Sequence, residues 1–462
     1  MSQMERSFGE VHFGAAQLGN KARTRRLVQV ADALMRRPGG TLPQKLNDPA
    51  ALQAMYRLMQ RSEVTHASVL AAHQAETFRQ IEEHSGPLLA ISDATELDYS
   101  GLHSLADLGQ IGNGGGRGYI CQNLLIVDPK QPRVVGLGNQ ILHTRVEAPP
   151  GETRQERRQR QSRESRLWPQ ATQPLPNTPK LVVVCDRGGD TFEELEHEAR
   201  CDRRFVIRST KDRKVLLGHT GRGAKKNLYA VARQAKSVGS YEVEVAATHQ
   251  RPARTATVRF SFVAVRLVPP KQPRGEHSQE PLPVWMVRVW ESDSPPGVEP
   301  LEWFLLTNVP IEKAAAARQV IGWYECRWIV EEYHKAQKTG CDIESMQFTH
   351  QSRLEPMIAL QSVVALTLLN LRDISRRPDA KITPASQVVA QEYVNVLSTW
   401  RHAEARPDWT INEFFYALAR LGGHQNRRGD KQPGWIVLWR GWTSLQLLVG
   451  GARLERKRKK VG

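Results

Sequence analysis

The sequence predicts an α/β protein: a sheet of short apolar strands with a strand-rich insertion, flanked by helical regions at both ends. Three observations predict it. Two apolar runs, PLLAISD (87–93) and KLVVVCD (180–186), read as buried central strands that end in aspartate. The stretch from about 205 to 310 is a succession of β-rich runs separated by Pro, Gly and charge. Helical periodicity fills residues 1–85 and returns after 311.

The elements follow in chain order. Asn20 can cap a helix through KARTRRLVQVADALM, and Asp48-Pro49 is a cap with proline at the first helical position, opening AALQAMYRLMQR. THASVLAAHQAETFRQIEEH is a third amphipathic run. The first two helices carry basic side chains, among them Arg23, Arg26, Arg57 and Arg61, which suit phosphate contact or a solvated face. NLLIVD and RVVGLGNQIL read as strands between the two aspartate runs. TRQERRQRQSRESR (153–166) has no apolar periodicity and reads as a loop or exposed helix. RFVIRST, SYEVEVAA, TATVRFSFVAVRLV, PVWMVRVWES and LEWFLLTN make the β-insertion, linked by GHTGRGAKKN and PPKQPRGEHSQEP. EKAAAARQVIGWYECRWIVEEYHKAQKTG is one long helical signal, which a break could interrupt, and LEPMIALQSVVALTLLNLRDI is another. TINEFFYALARLGG and WIVLWRGWTSLQLLVGG end in glycine pairs, as helix C-caps do, which leaves RLERKRKK as a frayed tail.

Composition narrows the function classes. The 462 residues suggest about three domains. Lys and Arg number 65 against 48 Asp and Glu, a net charge of +17 that points to a polyanionic partner. No run of about 18 apolar residues predicts a membrane span. The first residues, MSQMERSFGEVHF, lack the apolar core of a signal peptide. Cys121, Cys185, Cys201, Cys326 and Cys341 are scattered without CxxC spacing, so neither structural zinc nor a disulfide framework is expected.

Asp93 and Asp186 are the first candidates for chemistry. Ligand sites in open α/β sheets gather beyond the carboxyl ends of strands, and two carboxylates there suit a divalent cation. The bland alternative is a turn aspartate at each strand end. The helix from 321 adds a second pattern. With Tyr324 at zero, Arg327, Glu331 and Lys338 fall at about −60°, −20° and −40° on a helical wheel. A carboxylate therefore sits in a Tyr/Arg/Lys stripe, either as ordinary surface pairing or as a metal ligand among phosphate-gripping groups. Ile329, Tyr333 and Ala336 point to the other side, toward a core. GNGGGRGY (112–119) lacks P-loop spacing and reads as a flexible turn. His334, just past Glu331, has no partner histidine and is weak evidence for a metal.

The run from Tyr324 to Lys338, Y-(2)-R-(3)-E-(6)-K, resembles the signature of the insertion-sequence-four family of bacterial cut-and-paste transposases. ISDATELDYS, VVVCDRGGDTFEEL, LEWFLLTN-P and ARLGG…PGW…LWRGW are similar to further segments of that family, so the resemblance covers nearly the whole chain. It implies an RNase H-like catalytic core, with Asp93, Asp186 and Glu331 as a DDE triad holding two Mg²⁺ ions that Mn²⁺ can replace. It implies an N-terminal helical DNA-binding domain over 1–70, a catalytic domain over 71–375 with its β-insertion at about 205–310, and a C-terminal helical dimerisation domain over 376–462. Tyr324, Arg327, Lys338 and Arg208 would grip DNA phosphates, Trp303 and Trp328 would receive a flipped base, and Arg23, Arg26, Arg57 and Arg61 would recognise the ends. The implied partners are double-stranded DNA, as terminal inverted repeats and as target, and a second copy in a synaptic homodimer. No membrane is involved, and the implied location is the bacterial cytoplasm at the nucleoid. The implied reaction is nicking, excision through hairpin ends and transfer of 3′-hydroxyl ends. The chain departs from the family with Ser92 and Ala94 beside Asp93, with Gly188-Gly189 after Asp186-Arg187 where bulkier residues are expected, and with LGGH at 421–424 for LGGF. The competing readings are an inactive DNA-binding inhibitor or domesticated derivative, and another RNase H-like nuclease.

Overall fold

The computed structural model describes residues 6–461 except 38, 106, 131–132, 161, 219–222, 246–252, 272–276, 428–429 and 431. Parts of the two predicted links in the β-insertion lie outside the described residues.

The chain opens with α1 (Phe8–Phe13), α2 (Lys21–Arg36), α3 (Leu42–Leu46), α4 (Pro49–Met59) and α5 (His66–Glu83). The predicted caps form: Asn20 accepts from the Arg23 amide at 3.0 Å, and Asp48 accepts from Ala50 at 3.0 Å. α5 runs unbroken through residue 70, so the small helical unit is α1–α4 and α5 is the first layer laid on the sheet. Lys45 of α3 pins that unit to the rest. Lys45 is 2% exposed, and its ammonium donates to the Cys341 carbonyl at 2.6 Å and to Gln361 Oε1 at 3.0 Å.

Next come β1 (Leu88–Asp98), β2 (Gly109–Gln110), β3 (Arg117–Asp128) and β4 (Arg133–His143), then α6 (Arg154–Gln159), α7 (Leu167–Thr172), β5 (Leu181–Cys185), α8 (Phe192–Arg200) and β6 (Arg204–Arg208). β7 (Lys214–Leu217), β8 (Lys226–Asn227), α9 (Leu228–Gln234), β9 (Gly239–Val245), β10 (Arg254–Leu267), β11 (Leu282–Glu291) and β12 (Glu302–Thr307) follow. Among the described residues these strands form one sheet in the order β2-β3-β1-β5-β6-β12-β11-β10-β7-β8, with β4 beside β3 and β9 beside β10. β1, β5 and β6 are mutually parallel and the other pairings are antiparallel. β6, counted with the insertion from sequence, is therefore a strand of the parallel centre, and the insertion widens the same sheet through β12.

Alternate residues of the central strands enter two separate cores. Leu89, Ile91, Val182, Val184 and Val206 face one, and Leu88, Ala90, Val183, Cys185 and Phe205 face the other. Burial on both faces is why these runs lack polar alternation.

The first core is closed by α10 (Ala314–Glu325), α11 (Trp328–Lys335), a π turn over Ala336–Gly340 and α12 (Gln351–Ser375). The long signal after 311 is thus two helices broken at Cys326–Arg327, with a wider turn after them. α12 is long and apolar enough to cross a membrane, but 83% of its most apolar window is buried inside the fold, so it is a core helix. α13 (Gln391–His402), α14 (Ile411–Leu421) and α15 (Trp435–Val461) complete the chain. Gly422 ends α14 as its glycine pair predicts. The second pair, Gly450-Gly451, does not end α15, and the expected frayed tail is helical to Val461. Arg453 and Arg456 reach Glu392 of α13 at 2.6 and 3.0 Å, which holds the extra turns in place.

Candidate active site

Period-two geometry assembles the site. Residues 89, 91 and 93 of β1, and 182, 184 and 186 in and after β5, share the face covered by α10–α12. So do Arg208, two residues after Val206, and Trp303, two before Leu305. The register Ser92↔Cys185 is the last parallel pair, so Asp93 and Asp186 stand side by side as the two strands part. One expectation needs correction. Asp93 does not end its strand, because β1 continues pairing with β3 to Asp98↔Gly118; it marks where burial gives way, not where pairing stops.

Asp186 caps a tight turn over Arg187–Gly189, accepting from the Gly188 amide at 2.7 Å. The two glycines there have a steric reason. A Cβ on Gly188 would lie 2.4 Å from Trp168 of α7, and one on Gly189 would lie 2.7 Å from the Cys185 Cβ.

Arg327 sits at the helix break and joins two carboxylates. Its guanidinium donates to Asp93 Oδ2 at 2.8 Å and to Glu331 Oε1 at 2.6 Å. Burial pushes the Asp93 carboxyl up to about 6; Asp186 and Glu331 add to the rise, while Arg327 opposes it. Burial works to lower the Arg327 pKa, yet its net direction is upward, because Glu331, Tyr324 and Asp93 favour the cation. Tyr324 is buried, which raises its phenol, and Arg208 hydrogen-bonds it. The Arg208 guanidinium also donates to the Glu302 carbonyl at 3.3 Å. The Trp303 ring lies 5.9 Å from that of Tyr324, at the wall of an open cleft of about 1040 Å³ that also takes in Arg187 and Arg208.

The structure brings Asp93, Asp186, Glu331, Arg327, Tyr324, Arg208 and Trp303 into one neighbourhood. Trp328 is 64% exposed beside Arg327, whose Cζ lies 5.7 Å from its ring, so it is not a core tryptophan. Lys338 is placed differently from the wheel. The π turn carries it to Glu344, at 3.3 Å, and Glu344 also accepts from the Asp98 amide. His334 is held neutral, lowered to about 3 by burial and by Lys338 and Arg327. At the N-terminus, Arg26, Arg57 and Arg61 are exposed, whereas Arg23 pairs with Glu63 at 2.9 Å and braces the Leu18 carbonyl.

One buried assembly was not foreseen. Asn123, the cross-strand partner of Asp93, bonds Gln337 of the π turn at 3.2 Å. Gln140 of β4 donates to Asn123 at 2.7 Å and to Ser362 of α12 at 2.9 Å, and Gln337 also reaches Ser362. This network ties the strand behind Asp93 to the helices that carry Glu331 and Lys338. Its signal was two polar interruptions, in QNLLIVD and GNQIL, within otherwise apolar strands. Among the described residues, no three His, Cys, Asp or Glu side chains are gathered as a ready metal cage.

Residues 5–64 match the transposase DNA-binding family. The match spans α1–α4 and stops just before α5, where the helices begin to pack on the sheet. The chain therefore carries a transposase DNA-binding domain at its N-terminus, and DNA is its partner.

Proposed function

We propose that the protein is a DDE transposase that cuts and joins DNA, with Asp93, Asp186 and Glu331 as its catalytic carboxylates. The observation that carries the reading is the convergence of the neighbouring Asp93 and Asp186 with the helix residue Glu331 in a chain with a transposase DNA-binding domain. The strand order β4-β3-β1-β5-β6, with its antiparallel meander followed by parallel strands, supports an RNase H-like core.

The donor set fits hard divalent cations. The three groups are carboxylates, and Asp93 is pushed up chiefly by burial and next by the neighbouring Asp186 charge, both of which a bound cation offsets. Arg327 is the stand-in cation between Asp93 and Glu331. Two Mg²⁺ ions, or Mn²⁺, held by Asp93, Asp186 and Glu331 would supply activation of the attacking hydroxyl and neutralisation of the leaving oxygen.

The chain's own groups do the rest. Arg327 exchanges its carboxylate partners for a DNA phosphate, a planar bidentate acceptor of the same kind. Tyr324 and Arg208, already hydrogen-bonded, orient the phosphate near the scissile bond. Lys338 adds positive charge beyond β1. Trp303, at the cleft wall, and exposed Trp328 stack an extruded base, each stack worth about 1–3 kcal/mol. Exposed Arg26, Arg57 and Arg61 contact the terminal repeats. Excision through hairpin ends and strand transfer complete the cycle, in a homodimer built through the C-terminal helices, where Trp400, Leu447 and Leu454 are exposed.

The test is incubation of the full chain with Mg²⁺ and a labelled duplex bearing the ends that flank its own gene, beside Glu331→Ala. Excision by the wild type alone is the expected result. Binding without cleavage by either protein would replace this reading with that of a DNA-holding inhibitor.

A further inference from the structure

The segment between β4 and α7 takes no part in the site described above. Residues 153–166 contain six arginines and two glutamates. Both glutamates are already engaged. Glu156 closes a capping box with Thr153, and Glu164 pairs with Arg145 at 2.6 Å. α6 in this segment lays no apolar face on the core: residues 155–157 and 159 are exposed.

The segment faces the turn between β2 and β3 across an open cleft of about 680 Å³. Arg117, Arg145, Arg157, Arg160 and Arg163 line it, with Glu147 and Glu164 as its acids. In that turn Gly112 is left-handed, at φ +60°, and Gly114 and Gly115 have open space where a Cβ would stand. Their backbone can approach a bulky anion that a side chain would hold off.

Both rims of the cleft are tied to the catalytic aspartates. The Gly112 amide donates to Glu96 of β1 at 2.7 Å, and Arg145 donates to the Gly112 carbonyl at 3.2 Å. Glu96 lies three residues beyond Asp93, about 10 Å along the strand. The arginine-rich segment runs into α7, whose Trp168 lies against Gly188 in the Asp186 turn. The cleft therefore rests on β1 and on the turn after β5, the two elements that carry Asp93 and Asp186.

We propose that this cleft is a phosphate-binding groove that holds the backbone of duplex DNA beside the strands that carry the aspartates, without reading its sequence. Guanidinium forks match phosphate geometry, and phosphate contacts position a duplex but carry no base information. The inference rests on the transposase reading for the choice of polymer, and its test does not need cleavage.

The experiment measures binding of the full chain to a labelled duplex of arbitrary sequence across a salt series. The proteins are wild type, Arg157→Gln/Arg163→Gln, and Arg26→Gln/Arg57→Gln as a control in the N-terminal unit. Loss of two phosphate contacts should lower the slope of log K against log salt by about 1.8 in the groove variant. Its affinity deficit should shrink by about tenfold between about 50 and 200 mM salt. An unchanged slope in a groove variant with wild-type circular dichroism and melting would overturn the proposal. A misfolded double variant would be replaced by the two single substitutions, each expected to lower the slope by about 0.9. A changed slope in a protein that never cleaves would keep the groove and remove the transposase reading. Cleavage with an unchanged slope would do the reverse.

Discussion

Acidification should loosen the N-terminal helices from the sheet through one pair of imidazoles. The Leu137 amide of β4 donates to His73 Nε2 at 2.9 Å, so the His73 proton sits on Nδ1, which lies 3.0 Å from His12 Nδ1 of α1. Both rings are neutral in this arrangement, and protonating His73 Nε2 would set two donors against each other. Burial lowers His73 to about 3, with His12 adding and Glu76 opposing, and lowers His12 to about 4, with Glu76 opposing. The unfolded values are near 6.5, so below that pH the unfolded chain binds protons that the folded chain refuses, and stability falls as pH falls. Above about 6.5 neither state is protonated and the pair is silent. Between about pH 7 and pH 5 the loss is about 2 kcal/mol for each imidazole. The assay is urea unfolding at both pH values for wild type and His73→Phe, with hydrogen exchange of α1 and α2 as the local readout. The wild type should lose about 2–4 kcal/mol more than the variant. Equal losses in the two proteins would refute the reasoning.

Arg327→Gln should leave DNA binding intact and reduce cleavage by about 10²–10³-fold, read in a gel assay, because a positioned charge aimed at the phosphate is gone. Gly188→Ala should cost about 1–3 kcal/mol in urea unfolding, since its methyl group meets Trp168. Trp328→Ala should change stability by no more than about 0.5 kcal/mol yet slow cleavage by at least about fivefold, which separates a DNA-facing ring from a packed one. Lys45, lowered by burial to about 8 from 10.5, leaves the unfolded chain holding more protons between those values. Stability should therefore rise by about 1.3 kcal/mol more in wild type than in Lys45→Met between about pH 7 and pH 9, measured by the same unfolding curves.

What the sequence revealed depended on how local the physics was. The caps at Asn20 and Asp48 and the buried side of α11 (Ile329, Tyr333) follow from neighbours within one turn, and all were readable. So were Asp93 and Asp186, because apolar runs stop where burial stops. The continuation of β1 past Asp93 depends on β3, a partner about 30 residues away, and no local pattern marks it. The π turn that redirects Lys338 goes with Gln337 turned inward to Asn123 of β3 and Ser362 of α12, two elements distant from it in the chain. Gly450-Gly451 looked like a helix end, but Glu392, about 60 residues upstream, captures the arginines beyond it. Gly188-Gly189 read only as a departure from a pattern until Trp168 supplied its steric cause.

The widened sheet also sets a timetable for synthesis. β6 is completed on its open side by β12, and the carboxylate of Glu331 follows Asp186 by 331 − 186 = 145 residues. At about 5–20 residues per second, a nascent chain waits about 7–30 s between the second carboxylate and the third. The β6 edge stays bare until β12 is made, and the proposed carboxylate set stays incomplete until Glu331 follows. The anchor of the N-terminal unit comes later still, because Lys45 waits for Cys341 and Gln361.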